Sequence, residues 1–408
     1  MRATTARPHV LVFNQYYWPG VEATAHLLTE LCEALADDYE VTVITGRLLG
    51  YEDEPDYERR NGVEIVRVHS TAFDRAPLHR RAANYFTYLA RALRRGLGAD
   101  RPDVVLCMTD PPMVGDVALL VARRFRVPLL VISQDVFPEI AVELKRLTNP
   151  ALVGLLGVLT RFYLRRADRV VAIGETMRRR LAFKGVACER MRVIPNWTDT
   201  GALTPQPSDN AWAREHDLVG RFVLMHSGNV GHAQDLDTLV RALTFVRDLD
   251  DLRVVVIGFG ARHAELVALA ERLEVGIRFL PYQSAARLAE SLSAADVHVV
   301  GLGRGLSGFV VPSRMHGILA VGRPVIVAAD EQSETARITR EIDCGVVVPP
   351  GRPELLAQAI RAAHDGELDL AGMGLRARAY AEAEADRDVA IGRYRALLRE
   401  LLRAGDAG

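Results

Sequence analysis

The chain has 408 residues, of which 25% are charged and 49% hydrophobic, and its formal net charge is −1. That length suggests two or three domains, the composition is that of a globular protein, and the near-zero charge argues against a general nucleic-acid binder. Cys32, Cys107, Cys188 and Cys344 form no CxxC pair and no zinc spacing, so they read as thiols of a reduced, cytoplasmic protein.

Met1 to Pro8 has a basic start without the apolar centre of a signal peptide. No run reaches the roughly 18 apolar residues of a spanning helix. The first half holds strand candidates at His9–Phe13, Glu40–Thr45, Val63–Val68, Asp103–Met108, Pro128–Ser133, Arg169–Ile173 and Met191–Ile194. The loop after the first is rich in aromatics, Tyr16-Tyr17-Trp18-Pro19-Gly20, and Gly20 would let a ligand approach the backbone closely. It lacks the GxGxxG dinucleotide fingerprint. Asp135 and Glu139 follow the strand Pro128–Ser133. Each is placed either to orient or deprotonate a hydroxyl, or to cap and charge a helix start. Two helical segments, 79–96 with Arg80, Arg91 and Arg95 and 150–166 with Arg161, Arg165 and Arg166, are basic and amphipathic. They suit either an anionic membrane surface or solvent.

Residues 198–209 are polar, carry two prolines and show no periodicity, so they read as a linker. The second half repeats the alternation with strand candidates at Arg221–His226, Arg253–Ile257, Ile277–Leu280, Val297–Gly301, Pro324–Ala328 and Gly345–Val348. Such alternation implies an α/β protein of two doubly wound, Rossmann-like parallel sheets, with ligands at the strand ends of a shared cleft. The expected domains are 1–197, 210–385 and a C-terminal helix over 386–408 that packs back on the first domain.

Three segments of the second half carry chemistry. Gly228-Asn229-Val230-Gly231, with Gln234, has the character of a phosphate loop. Pro312-Ser313-Arg314 opens a helix, where free N–H groups and a guanidinium fork favour an anion. Ser333-Glu334 begins another helix, and its carboxylate suits either the two hydroxyls of a ribose or a structural helix-cap role. Asp-x-Asp occurs at Asp235/Asp237, Asp248/Asp250 and Asp386/Asp388, but in so acidic a chain these read as chance, and no metal site is expected.

Taken in order, Tyr16-Tyr-Trp-Pro19, Asp135-Val-Phe-Pro-Glu139, Ile194-Pro-Asn-Trp197, Gly228-Asn-Val-Gly231, Val311-Pro-Ser-Arg314, Gly322-Arg-Pro324 and Ser333-Glu334 resemble the retaining GT-B glycosyltransferases of family 4 (group 1), WbuB/WcaI-like branch. The resemblance implies a GT-B fold and transfer from a nucleoside-diphosphate sugar. By that resemblance the expected donor is a UDP-sugar or UDP-N-acetylamino sugar, and the expected acceptor a glycan, a polyprenyl-linked or a small molecule. No cofactor or metal requirement is expected. Most of family 4 carries two Glu with seven residues between them, which fall here on Phe309 and Gly317, and a basic pair that falls on Asn229 and Gln234. Arg314 is then expected to replace the missing cations. The donor would meet Gly228, Asn229, Gln234, Ser313, Arg314 and Glu334, with its base near Tyr282. The acceptor would lie near Trp18, Gly20 and Asp135, with Arg314, Asp135 and Glu139 as the catalytic set. The alternatives are a nucleotide-sugar 2-epimerase of the same architecture and a non-catalytic sugar-nucleotide-binding protein. Peripheral contact with the inner face of an anionic membrane is expected, and nucleic acid is not.

Overall fold

The computed structural model describes residues 7–20, 22–48, 50–51, 53–70 and 78–406. They form two compact units: Met1–Ile194 with Ile391–Gly408, and Pro195–Ala390.

The first unit is built on β1 (His9–Phe13), β2 (Glu40–Gly46), β3 (Tyr57–Arg60), β4 (Val63–Val68), β5 (Val104–Met108), β6 (Leu129–Ser133), β7 (Arg169–Ala172) and β8 (Met191–Val193). Their order in the sheet is β3-β4-β2-β1-β5-β6-β7-β8. Helices between successive strands give the parallel pairing expected from the alternation. β5 and β6 are wholly buried, Val-Val-Leu-Cys-Met and Leu-Leu-Val-Ile-Ser. Strands covered on both faces read as continuous apolar runs, and each large aliphatic contributes about 1.5–3 kcal/mol on burial.

β3 was not legible as a strand. Its sequence Tyr-Glu-Arg-Arg has no apolar face, because it is the exposed edge, paired antiparallel to β4. Asn61 and Gly62, both at positive φ, make the two-residue turn that folds it back.

The second unit holds β9 (Phe222–Ser227), β10 (Leu252–Ile257), β11 (Ile277–Leu280), β12 (Val297–Gly301), β13 (Val325–Ala328) and β14 (Gly345–Val348), in the order β11-β10-β9-β12-β13-β14 and all parallel. One face is covered by apolar side chains of the helices Leu236–Ala242, His263–Arg272 and Pro353–His364, among them Leu239, Leu266 and Leu356. Trp212, fully buried, fills the other face with Met225 and Ile257. In each sheet the order reverses once, beside β1 in the first and β9 in the second. Such switch points open a crevice at the carboxyl ends of the strands.

Residues 198–209 are not a free linker. Thr200 donates its hydroxyl to Asp386 at 2.6 Å, Arg378 donates to the carbonyls of Thr200, Leu203 and Ala320, and Leu203 is buried. Side chains from elsewhere in the second unit satisfy this backbone, which is why the segment shows no periodicity of its own. The helix Arg387–Asp406 starts in the second unit, where the Arg387 N–H donates to the Thr198 carbonyl. From Ile391 it belongs to the first, where Arg395 binds Asp37 and Asp38 and Glu400 binds Arg169 and Arg192.

Candidate active site

In the second unit the site grows from the end of β9. Gly228 follows it at φ 138°, and a Cβ there would stand 3.3 Å from the Arg314 Nε, so the guanidinium runs directly against this turn. Gly258, after β10, is also at positive φ, and a Cβ on it would fall 2.1 Å from the Gly228 carbonyl oxygen. The two loops therefore pack backbone against backbone, and no other residue type fits either position. Gln234 accepts from the Gly231 N–H at 3.0 Å and holds the loop closed, while Asn229 stays exposed.

Arg314 is partly buried. Its Nη1 donates to the Nε2 of His226, the penultimate residue of β9, at 2.9 Å. Burial first, and Arg314 second, hold the His226 pKa well below its usual value, so the ring is neutral. Its Nδ1 faces the Val299 carbonyl at 3.3 Å, which assigns the proton there. Burial lowers Arg314 to about 10, and it stays cationic at neutral pH. Among the described residues no carboxylate lies within ion-pair distance of it. A desolvated cation without a counterion favours an anion.

The helix that begins at Arg314 has seven residues, and its N-cap Ser313 makes no side-chain capping bond. Its axial dipole is short, so the positive charge here rests on the arginine rather than on a helix N-terminus. The loop leading into it is pinned by Asp330, which accepts from the Gly305 N–H and the Ser307 hydroxyl.

Glu334 is buried at the start of the helix Glu334–Glu341, where its Oε1 accepts two bonds from Arg337, at 2.7 and 3.2 Å. It is thus engaged by protein, and its charge reaches the buried His316, which burial lowers to about 4. Tyr282 is 56% exposed and Phe259 50% exposed; their rings lie 6.4 Å apart, with His263 against Phe259. This open aromatic group at the ends of β10 and β11 suits a flat ring. Of the Asp-x-Asp pairs, Asp235 accepts from Thr238 and Gly351, Asp237 binds Arg262, and Asp248 binds Arg361. Among the described residues no group of three or more His, Cys, Asp or Glu is arranged to hold a metal ion.

In the first unit the ends of β1, β5 and β6 meet. The Gln15 N–H donates to the Asp110 carbonyl, and Thr24 donates its hydroxyl to the Asp110 carboxylate at 3.2 Å. Asp135, one residue further from β6 than Gln134, is open to solvent yet crowded by protein. Desolvation and the charge of Asp110 push its carboxyl up to about 7. Glu139 is an ion-pair partner of Lys184, at 2.8 Å, and Lys184 also donates to the Phe137 carbonyl. That arrangement makes Glu139 a brace for the turn 137–139. Gly20 is buried, and a Cβ on it would meet Tyr17, Leu48 and Glu22 within 2.8 Å, so its small size serves the packing of its own loop. The Trp18 ring is covered by the Arg60 guanidinium at 3.6 Å.

Sequence reasoning missed His226, Phe259 and Asp110. Each stands at or just past the carboxyl end of a parallel strand, and a polar or aromatic residue closing a buried apolar run was the available signal.

The two sheets and their strand-end loops define a GT-B-type glycosyltransferase. Residues 20–197 match the glycosyl transferase 4-like domain and residues 221–365 match the glycosyl transferases group 1, and the chain belongs to this family. It is 28% identical over 330 residues to the probable glycosyltransferase WbjE of Pseudomonas aeruginosa, covering 80% of this chain and 81% of that one. It is 29% identical over 205 residues to the putative colanic acid biosynthesis glycosyl transferase WcaI of Escherichia coli K12, covering 49% and 50%. The fold is similar to that of Anabaena Alr3699/HepE in complex with UDP, with a TM-score of 0.76 at 15% identity over 96% of this chain and 100% of that one.

Proposed function

We propose that the protein transfers a hexosyl or N-acetylhexosaminyl group, with retention, from a UDP-sugar to a glycan, polyprenyl-linked or small-molecule acceptor, without a metal ion. The observation that carries this reading is Arg314, a desolvated cation with no carboxylate partner among the described residues, held by neutral His226 against the glycine turn at 228. Departure of a nucleoside diphosphate builds charge on its terminal phosphate. Preorganised donors that meet that charge lower the barrier. Arg314, with N–H groups of the 228–231 turn, the exposed Asn229 and the half-buried Ser313, would bind the pyrophosphate. Tyr282 and Phe259 would receive the base, and Glu334, steadied by Arg337, the ribose. The UDP held by the structurally similar HepE supports this choice of nucleotide.

On the acceptor side the proposal places Asp135, with Trp18 and Gly20 in the neighbouring loop. Asp135 near 7 is poised to orient an acceptor hydroxyl, while the departing phosphate takes its proton. Glu139 positions the turn that carries it. We place the enzyme in the cytoplasm, at the inner face of the membrane; no helix among the described residues is long and apolar enough to cross one.

The test is a thermal-shift screen against UDP, GDP, dTDP and their sugars, followed by product analysis with excess EDTA. UDP-sugars should raise the melting temperature most, and sugar should move to an acceptor with EDTA present. Conversion of a lone sugar nucleotide to its C2 epimer, or binding without turnover on any acceptor, overturns the reading. Restoration of an EDTA-sensitive reaction by Mg²⁺ or Mn²⁺ overturns metal independence alone.

A further inference from the structure

At the edge of its sheet, beside β3 and the carboxyl end of β4, the first unit holds a cavity of about 700 Å³. Val66 and Val68 contribute an apolar floor and Tyr57 a half-exposed ring. Arg91, Arg94 and Arg95, from the helix Leu78–Leu97, line the cavity together with Arg67 and His69.

The charges do not cancel. Arg67 is neutralised by Glu58 and Glu54, and Asp56, the acidic lining residue, is already held by Arg47 and His69. Arg91 donates to a backbone carbonyl, that of His69, at 2.6 Å. Neither Arg94 nor Arg95 has a carboxylate partner among the described residues. Three guanidinium groups thus face one cavity, and none of them pairs with an acid among the described residues. Arg94 and Arg95 also complement the carboxyl end of their helix, but that role does not require a cavity, nor a third arginine one turn earlier. The Ser70 hydroxyl on the same wall is buried and has no hydrogen-bond partner among the described residues. A buried orphan hydroxyl beside uncompensated cations awaits an acceptor oxygen.

We propose that this cavity is a second phosphate site, one that takes the phosphate group of a ligand other than the sugar-nucleotide donor. Arginine forks on Arg91, Arg94 and Arg95 grip the phosphate oxygens, and the Ser70 hydroxyl donates to another. The site stands on the first unit's own residues and does not depend on the proposed glycosyl transfer.

Inorganic pyrophosphate is titrated calorimetrically into the full-length chain, the Arg314→Ala variant, and Arg314→Ala combined with Arg94→Gln and Arg95→Gln. The Arg314→Ala protein should still bind one pyrophosphate. The triple variant should bind it at least about tenfold more weakly, the equivalent of about 1.4 kcal/mol. Arg94→Lys with Arg95→Lys should restore part of the loss, and circular dichroism melts confirm that the variants fold. Monomeric dihexanoyl phosphatidylglycerol distinguishes the sources. Displacement of pyrophosphate by it points to a lipid headgroup; pyrophosphate binding that it cannot displace points to a soluble phosphate ligand. Both results support the site. Pyrophosphate binding that is absent in Arg314→Ala, or unchanged by the two glutamines, overturns it.

Discussion

The Arg314 guanidinium donates to the Nε2 of His226 at 2.9 Å, so this buried cation is held by a neutral ring rather than by a carboxylate. Arginine has no acceptor, and the ring nitrogen facing it must therefore be unprotonated. A carboxylate in that place would have cancelled the charge. Imidazole orients the fork and leaves its full charge for a ligand.

Removing the fork should be costly. Arg314→Ala is expected to lower kcat/KM by about two orders of magnitude, since charge-assisted bonds contribute roughly 1.5–3 kcal/mol each and 1.36 kcal/mol is tenfold. Arg314→Lys should recover part of this. His226→Ala, which unseats the guanidinium without removing its charge, should cost about tenfold. Steady-state kinetics decides; near wild-type values for Arg314→Ala would mean that the arginine does not meet the donor.

Asp135→Asn should reduce turnover while leaving UDP affinity nearly unchanged, because the residue belongs to the first unit's strand ends. A large loss of UDP binding would place it on the donor side. The same variant gives a stability signature. A carboxyl raised to about 7 in the folded protein, from 3.8, favours folding at low pH, and that contribution is lost as pH rises through 7. The melting temperature of Asp135→Asn should gain on wild type between pH 4 and pH 7, and hold its lead above.

The buried histidines act in the opposite sense. Burial lowers His298 and His316 to about 4, from 6.5. Their neutral forms are native, so stability is full above 6.5 and is lost as pH falls below it. Each should cost about 1.4 kcal/mol per pH unit between 6.5 and 4. Urea melts of the second unit's fluorescence from pH 7 to 5 should show this fall, and His316→Asn should flatten it. An unchanged slope would mean that His316 titrates normally.

The helix Pro150–Arg166 is expected to meet anionic lipid. Leu155 is 57% exposed and Val158 58% exposed, in one stripe with Leu152 and Phe162, and Arg161, Arg165 and Arg166 stand at its end. Apolar insertion flanked by arginines is how interfacial helices bind. Leu155→Ser with Val158→Ser should abolish co-sedimentation with phosphatidylglycerol vesicles at low salt, and added salt should weaken the wild-type binding. Equal sedimentation with neutral vesicles would contradict this. Arg91 and Arg95, read from sequence as part of a second such face, instead line the cavity beside β4, and the Arg80 side chain lies outside the described residues.

Thirteen of the fourteen strands among the described residues could be read from apolar runs, because the central parallel strands, buried on both faces, leave an unbroken hydrophobic signature. Tyr57–Arg60 escaped since an exposed edge strand has no buried face to advertise. Within the site, Gly228 and Arg314 were legible by their chemistry after a strand. The partnership of Arg314 with His226 was not, because 88 residues separate them and the histidine sits inside an apolar run. The engagement of Glu139 with Lys184, and of Glu334 with Arg337, was equally hidden: a carboxylate's spacing along the chain does not reveal which cation has claimed it.

The chain passes between its two units twice, at Ile194/Pro195 and again inside the final helix at Ala390/Ile391. Anyone recombining this protein with a relative to change its donor therefore cannot exchange simple front and back halves. A graft ending at the C-terminus would replace the buried Tyr394 and Leu398, which belong to the first unit, and Arg395, which pairs with the first unit's Asp37 and Asp38. The exchangeable cassette is Pro195–Ala390, and the last turns of the chain must stay with the parent that supplies the beginning.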